Sequence, residues 1–76
     1  MSGKNVKVGD TVRVWDWRVD EYYEAEATTD AHDDKDGVRT VGLRVSIPDL
    51  EGNVADTVLH YATWDTDHER WDDGCI

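Results

Sequence analysis

The side chains of this 76-residue chain best suited to chemistry are its aromatic rings, four tryptophans and three tyrosines with no phenylalanine. Most of them stand where predicted strands begin or end: Trp15, Trp17, Tyr22, Tyr23, Tyr61 and Trp64. In a small barrel of consecutive strands, the end of one strand lies close to the start of the next, so these rings could gather at one rim. Rings around a gap, with carboxylates nearby, offer the negative faces of their π-systems to a cation such as a quaternary ammonium group.

A second interpretation of the same rings remains open. A chain without phenylalanine must fill its core with tryptophan and tyrosine, so Tyr23, Tyr61 and Trp64 could equally be core residues. Trp71 is assigned to the core.

The remaining reactive residues lack the spacing of a metal site or a catalytic centre. The candidate zinc ligands are His32, His60, His68 and Cys75. These four residues lack the paired spacing of zinc ligands. If the acidic run 32–37 began a calcium-binding loop, the first and the last position of that loop would lack the carboxylates that calcium needs. Cys75 has no base arranged near it that would make it a nucleophile. We therefore predict no metal, no cofactor and no enzymatic activity.

Four stretches with strand-like patterns must position the rings. Alternation after residue 10 predicts a strand to residue 17, with Val12 and Val14 on one face. Residues 22–29, 38–47 and 54–63 are predicted as the second, third and fourth strands. The second strand separates Tyr23, Ala25 and Ala27 from Glu24 and Glu26, and the fourth separates Val58, His60 and Ala62 from Leu59, Tyr61 and Thr63. Residues 1–5 are predicted as a flexible tail, and residues 30–37 and 48–56 as loops.

The last element is predicted to differ from the strands. Residues 66–69 read Thr-Asp-His-Glu and fit a capping box, which predicts a short helical turn starting near Asp67 with Gly74 as its C-cap. Trp64, His68 and Trp71 would share one side of such a turn. Gly42, within the third strand, is predicted to mark a bulge or a sharp bend. Four strands and one helical turn together predict a single all-β domain, a small bent barrel of the SH3 type.

The charge of the chain narrows the class of partner. Eighteen acidic residues against eight basic ones give a formal net charge of −10. Such a domain repels a phosphate backbone, which disfavours nucleic acid, and attracts a basic partner. Alternatively, the charge serves solubility or adaptation to a salty cytoplasm, which thirteen aspartates and only three lysines would also suit. No apolar run reaches the roughly 20 residues of a membrane span, and the lone Cys75 favours a reducing compartment.

The segment from His60 to Trp71 resembles the closing motif of chromo barrel domains, also called Tudor-knot domains. That motif reads His-Tyr, two variable residues, an aromatic residue and Asn or Asp, then polar residues and an acidic residue two before a tryptophan. The chain has His60-Tyr61, Trp64-Asp65 and Glu69-x-Trp71 at these positions. Its opening, Val8-Gly9-Asp10 followed by Tyr23-Glu24-Ala25, is also similar to that family, and both blocks occur in the family's order.

This resemblance implies a bent five-stranded barrel of nuclear chromatin proteins, such as subunits of histone acetyltransferase or deacetylase complexes. Several members of the family bind methylated lysine in a histone tail, and some have incomplete cages that bind weakly or bind nucleic acid. By motif position, the methyl-lysine-binding residues would be Tyr23, Tyr61 and Trp64, with Asp16 or Trp17 as a further wall and His68 as a lip. Asp16 would favour mono- and dimethyl states, whereas Trp17 would favour the trimethyl state.

We therefore expect a chromatin reader module that binds methylated lysine in a basic histone-tail peptide. The alternative is a protein-interaction or scaffold module of a chromatin-modifying complex, with an incomplete cage. Such a module would use a strand edge or the long region 30–56, because the stretch between Thr28 and Val58 is longer than the short hairpin typical of the family.

Overall fold

A computed structural model of the chain describes residues 3–74, and the regular structure in that range consists of strands. They are β1 (Thr11–Asp16), β2 (Glu21–Ala27), β3 (His32–Asp33), β4 (Arg39–Pro48), β5 (Val54–Asp65) and β6 (Arg70–Asp73). The predicted all-β class is thus confirmed. No helix within residues 3–74 is long and apolar enough to cross a membrane.

Five of the strands form a closed barrel, and the two-residue strand β3 adds a short sixth beside β4. The order around the barrel is β2-β1-β6-β5-β4, and β2 closes it by pairing with β4. The pairing of β6 with β1 is parallel, whereas the other pairings are antiparallel. The prediction of a small SH3-like barrel is confirmed.

The core is built from the inward faces of the five barrel strands together with Val6. The buried apolar residues are Val6, Val12, Val14, Ala25, Ala27, Val41, Leu43, Ala62 and Trp71. Full burial of a valine or leucine contributes about 1.5–3 kcal/mol, so these side chains supply most of the driving force for folding. Trp71 is fully buried and its indole N–H donates to the carbonyl of Gly3 at 3.1 Å, which confirms its assignment to the core.

Gly42 lies where one edge of β4 changes its partner from β3 to β2. The N–H of Thr28 donates to the Gly42 carbonyl, and the N–H of Gly42 donates to Oγ1 of Thr29, both at 2.9 Å. A Cβ at position 42 would lie 2.8 Å from Oγ1 of Thr28, so any residue larger than glycine would force the Thr28 side chain or the strand to shift. Of the two predicted alternatives at Gly42, the bulge is wrong, because the register of β4 with β5 shifts between Ile47 and Pro48 instead, and the sharp bend stays a prediction.

The predicted helical turn near Asp67 is wrong, because residues 66–69 form a tight turn that joins β5 to β6. The side chain of Asp65 competes with the capping box for the backbone N–H groups of this turn. Oδ1 of Asp65 accepts the backbone N–H of Asp67 at 2.9 Å and that of His68 at 3.2 Å. Glu69 then adopts a left-handed conformation with a φ of 51°, which turns the chain into β6. Gly74 consequently caps no helix.

The predicted loops are partly strand. Residues 30–37 contain β3, and within 48–56 only residues 49–53 connect β4 to β5. The two strands therefore form a long hairpin whose tip residue, Leu50, is fully exposed. At the start of the chain, where a flexible tail is predicted, the Lys4 carbonyl and the Asn5 side chain accept hydrogen bonds from Arg39. Residues 1 and 2 of that predicted tail lie outside the described range.

Candidate functional site

A cavity of about 260 Å³, here called the inner cavity, opens between the β1–β2 turn and the β4–β5 hairpin. Its lining combines three aliphatic side chains, one tyrosine and four polar groups: Val45, Ile47, Val58, Tyr23, Asp16, Arg18, His60 and Asp73. The aliphatic residues lie on the inner faces of β4 and β5, where Val45 pairs directly with Val58. The cavity therefore has apolar walls with charged groups beside them.

Asp73 is a buried carboxylate that organises the polar side of the inner cavity. Its side chain is only 2 % exposed, because Asp73 follows Trp71 by two residues on β6 and so shares its inward face. Oδ2 accepts a hydrogen bond from the Tyr23 hydroxyl at 2.9 Å and from Arg18 Nη2 at 2.7 Å. Oδ1 lies 2.7 Å from Nε2 of His60. These partners offset the cost of removing the charge from water.

Tyr23 is held in its neutral form by the same arrangement. Burial raises the pKa of the Tyr23 hydroxyl above its ordinary value of 10, and the hydrogen bond to the Asp73 carboxylate raises it further. The ring of Tyr23 is half-buried against the core. The hydroxyl thus acts as a hydrogen-bond donor at the cavity wall.

Arg18 places a guanidinium group between two carboxylates and an aromatic ring. Its Nε lies 3.0 Å from Oδ1 of Asp16, and its Nη2 lies 2.7 Å from Oδ2 of Asp73. Its Cζ lies 5.8 Å from the centroid of the Trp17 ring. Carboxylates and a ring face together around a cation are the arrangement that cation–π recognition uses. The chain thus places a cation of its own at the mouth of the cavity.

Of the six residues that the family motif designates for methyl-lysine binding, Tyr23 and Asp16 line the inner cavity. Trp17 is 53 % exposed and contacts Arg18 from outside. His68 is also largely exposed and lies at the far end of β5, where its Nδ1 is 2.7 Å from a carboxylate oxygen of Asp65. Neither Trp17 nor His68 lines the cavity.

The other two designated residues lie on opposite faces of β5. Trp64 faces inward and packs edge-on against Trp71, with ring centroids 5.3 Å apart. Tyr61 lies three residues earlier and therefore faces outward, because side chains alternate along a strand. It is 44 % exposed and covers Gly74, whose N–H donates to the Tyr61 carbonyl at 3.0 Å. The structure does not bring Tyr61, Trp64 and Tyr23 together around one gap.

The rings at the ends of β1 and β2 pair on the outside of the barrel. Trp15 and Tyr22 meet edge-on with centroids 4.9 Å apart. Arg13 lies 4.0 Å from the centroid of the Tyr22 ring, and Arg70 lies 4.8 Å from that of Trp15. These two rings therefore bind cations of the chain itself.

Sequence reasoning did not identify Asp73, Arg18 or His60 as site residues. Asp73 was hidden by the prediction of a helical turn, since a strand over 70–73 puts it on the same face as Trp71. His60 shares a predicted face of β5 with Ala62, which is buried, so the alternating pattern already grouped it with a core residue. Arg18 gives no signal in the sequence, because its contact with Asp73 spans 55 residues.

A second cavity of about 290 Å³, here called the outer groove, lies on the outside of β2 and β4. It is lined by Thr11, Glu24, Ala25, Glu26, Arg44 and Ser46. Nη1 of Arg44 lies 3.1 Å from Oε1 of Glu26 across the two strands. The groove therefore contains two carboxylates and one guanidinium group.

No group of three or more His, Cys, Asp or Glu residues within 3–74 is arranged to hold a metal ion, and the candidate ligand Cys75 lies outside that range. No protein-family model matches the chain, and no significantly similar curated protein or solved structure was found. The resemblance to chromo barrel domains therefore rests on the sequence pattern quoted above.

Proposed function

We propose that this protein is a binding module that takes a lysine side chain of a basic partner segment into the inner cavity. One observation carries the proposal: aliphatic walls lead to a cluster with two carboxylates and one guanidinium group. With histidine counted as neutral, the cluster has an excess of negative charge. The aliphatic stem of a lysine would pack along Val45 and Val58, while its ammonium group would reach Asp16.

Asp16 is the acceptor for the incoming ammonium group, since its side chain is 19 % exposed whereas that of Asp73 is only 2 % exposed. The net charge of −10 adds a long-range attraction for the basic residues around the lysine, which salt weakens. A single cavity of this kind supports an affinity on the order of micromolar or weaker for a peptide.

The resemblance extends this proposal to methylated lysine in a histone tail and to a nuclear chromatin complex. Within the cavity, Tyr23 is the aromatic wall, and one ring contributes about 0.5–2 kcal/mol to the binding of a methylammonium group. Asp16 accepts a hydrogen bond from unmethylated, monomethyl and dimethyl ammonium groups but not from a trimethyl group. We therefore expect the monomethyl and dimethyl states to bind most tightly and the trimethyl state most weakly.

Nα-acetyl-lysine N-methylamide and its mono-, di- and trimethyl forms test the proposal in a heteronuclear NMR titration. The uncharged norleucine analogue is the matched control. We expect shifts of the backbone amides of Tyr23, Val45 and Val58 with the lysine probes and not with norleucine. Shifts at these amides that are equal for lysine and norleucine, or no shifts at all, would contradict the proposal.

Asp16→Asn tests whether the carboxylate of Asp16 binds the ammonium group. Asparagine is chosen because it retains an oxygen that can accept the backbone N–H of Arg18. We expect it to weaken lysine binding about tenfold, which corresponds to about 1.4 kcal/mol. Asp67→Asn makes the same charge change in the turn at the far end of β5 and serves as the control. Equal losses in both variants would show that overall charge, rather than the cavity, binds the probe.

A second candidate function, an interaction module without a working cage, is favoured by the exposed apolar residues of the β4–β5 hairpin. These residues are Ile47, Leu50, Val54, Val58 and Leu59. Ile47 and Val58 also line the inner cavity, so a partner that covers the hairpin would contact the same site.

A further inference from the structure

The barrel wall has a gap where β2 and β4 separate. These strands pair only through Glu26 with Arg44 and through Ala27 with Leu43. Continuation of the same antiparallel register would next pair Ala25 with Val45, Glu24 with Ser46 and Tyr23 with Ile47. None of these pairs is present in the described part of the chain. The edge of β2 before Glu26 and the edge of β4 after Arg44 therefore have no strand partner there.

The two cavities are the two sides of this gap. On the inside, Tyr23 of β2 and both Val45 and Ile47 of β4 line the inner cavity. On the outside, Glu24 of β2 and Ser46 of β4 line the outer groove. Successive residues of a strand point to opposite faces, so Tyr23, Val45 and Ile47 border the inner cavity whereas Glu24 and Ser46 border the outer groove, which Ala25 also lines.

We propose that a partner segment binds in this gap as an added β-strand, with alternate side chains in the inner cavity and the outer groove. The inference rests on the proposed function, since the lysine in the inner cavity is one residue of that strand. Unpaired strand edges are the usual site for β-strand addition, in which main-chain hydrogen bonds supply affinity and alternate side chains supply specificity. Pro48 has no N–H to donate, so pairing on β4 is confined to residues 45–47.

The charges on both sides of the gap favour a basic strand. The outer groove holds Glu24 and Glu26 against Arg44, which leaves an excess of negative charge, as in the inner cavity. In the partner strand, the residues immediately before and after the bound lysine direct their side chains into the outer groove. An arginine or lysine at either position would pair with Glu24. A second copy of this chain is a poor occupant, because two molecules of charge −10 repel each other.

The probe peptide for this inference is acetyl-Ala-Arg-Lys-Arg-Ala-amide. Its matched control has the backbone nitrogens of both arginines methylated, which removes main-chain donors and keeps every charge. We expect the unmethylated peptide to bind about tenfold more tightly, and to slow hydrogen exchange of amides along residues 22–25 and 45–47. Equal binding of both peptides without slowed exchange would overturn strand addition while the single-lysine titration still upholds the proposed function. No binding of any lysine probe would overturn both.

Glu24→Gln separates the two sides of the gap. We expect it to weaken binding of the peptide about threefold to tenfold and to leave the binding of Nα-acetyl-lysine N-methylamide unchanged. Glu21→Gln makes the same change on β2 outside the groove and serves as the control. Equal effects of both variants on the peptide would overturn the role of the outer groove. A concentration-dependent dimer in sedimentation velocity, with the same edges protected from exchange, would overturn the choice of partner.

Discussion

The carboxylate of Asp73 connects three parts of the barrel to β6. Its partners come from β2 through Tyr23, from β5 through His60 and from the β1–β2 turn through Arg18. A buried carboxylate that loses a donor retains its charge in a poorly solvated place, which costs more than the net value of the bond. Each of these partners should therefore contribute to stability beyond its packing.

Tyr23→Phe tests this contribution with the smallest change. The variant keeps the ring and removes the hydroxyl that donates to Asp73 at 2.9 Å. We expect the free energy of unfolding to fall by about 1–3 kcal/mol, measured by urea denaturation. Tyr61→Phe is the control, since that ring faces outward and is 44 % exposed. An unchanged unfolding midpoint in Tyr23→Phe would mean that Asp73 does not depend on this donor.

The pH dependence of Tyr23 provides a second test at this scale. Burial and the hydrogen bond to Asp73 raise the folded-state pKa of Tyr23 above its unfolded value of about 10. Above pH 10 the folded state then holds a proton that the unfolded state has lost. The stability contributed by this group is complete below about pH 10 and is lost as the pH rises from there through the folded-state pKa.

NMR of the tyrosine Cζ carbon measures this titration directly. We expect the Tyr23 resonance to remain that of a neutral phenol at pH 11. The free energy of unfolding should decline between pH 9 and pH 11 more steeply in the wild type than in Tyr23→Phe. A Tyr23 resonance that titrates at or below pH 10 would rule out the buried, hydrogen-bonded geometry.

At the scale of the elements, β4 lies in tight contact with the segment that follows β2. Gly42→Ala would place a Cβ 2.8 Å from Oγ1 of Thr28 and 3.1 Å from Cγ2 of Thr29. We expect this crowding to lower the free energy of unfolding by about 1–3 kcal/mol. Gly3→Ala is the control, because its Cβ would meet nothing within 4 Å.

Thr28→Ala identifies the cause of the Gly42→Ala loss. It removes the hydroxyl nearest to the new Cβ and leaves the bond from the Gly42 N–H to Thr29 intact. The Gly42→Ala loss should therefore be smaller in a Thr28→Ala background, as a double-mutant cycle would show. If the loss is the same in both backgrounds, the hydroxyl of Thr28 is not the obstacle.

Strands β1, β2, β4 and β5 could be predicted because alternation is a local property of the sequence. Val12, Val14 and Ala62 are buried on the faces that the pattern assigns to them. The turn after β5 could not be predicted from its capping-box pattern, because the carboxylate of Asp65 binds the backbone N–H groups first. Alternation over a whole strand thus identifies an element more surely than a four-residue motif does.

The candidate site was less predictable because it depends on pairing between distant strands. Two of the residues that the motif designates, Tyr23 and Asp16, line one cavity, but the motif does not reveal that Tyr61 and Trp64 point to opposite faces of β5. The inner cavity also depends on the point at which β2 and β4 stop pairing, and no local pattern marks that point.

For the molecule as a whole, repulsion between like charges lowers the stability that the small core provides. Four arginines form ion pairs with acidic side chains within the described range, yet the formal net charge is −10. Like charges on a small barrel repel one another over distances that the ionic strength controls, and the Debye length falls from about 30 Å at 0.01 M salt to about 8 Å at 0.15 M. The stability of this fold should therefore depend on salt even without a ligand.

Thermal unfolding at pH 7 in 10 mM and in 150 mM sodium chloride tests this repulsion. We expect the higher salt concentration to raise Tm by several degrees, since each 1 kcal/mol of stability shifts Tm by about 4–8 °C in a domain of this size. A triple variant, Glu21→Gln with Glu51→Gln and Asp67→Asn, removes three exposed negative charges and should show a smaller salt effect and a higher Tm at low salt. An equal Tm at both salt concentrations would mean that the acidic surface carries no cost in stability. The salt dependence of peptide binding could then be attributed wholly to attraction between the protein and its basic ligand.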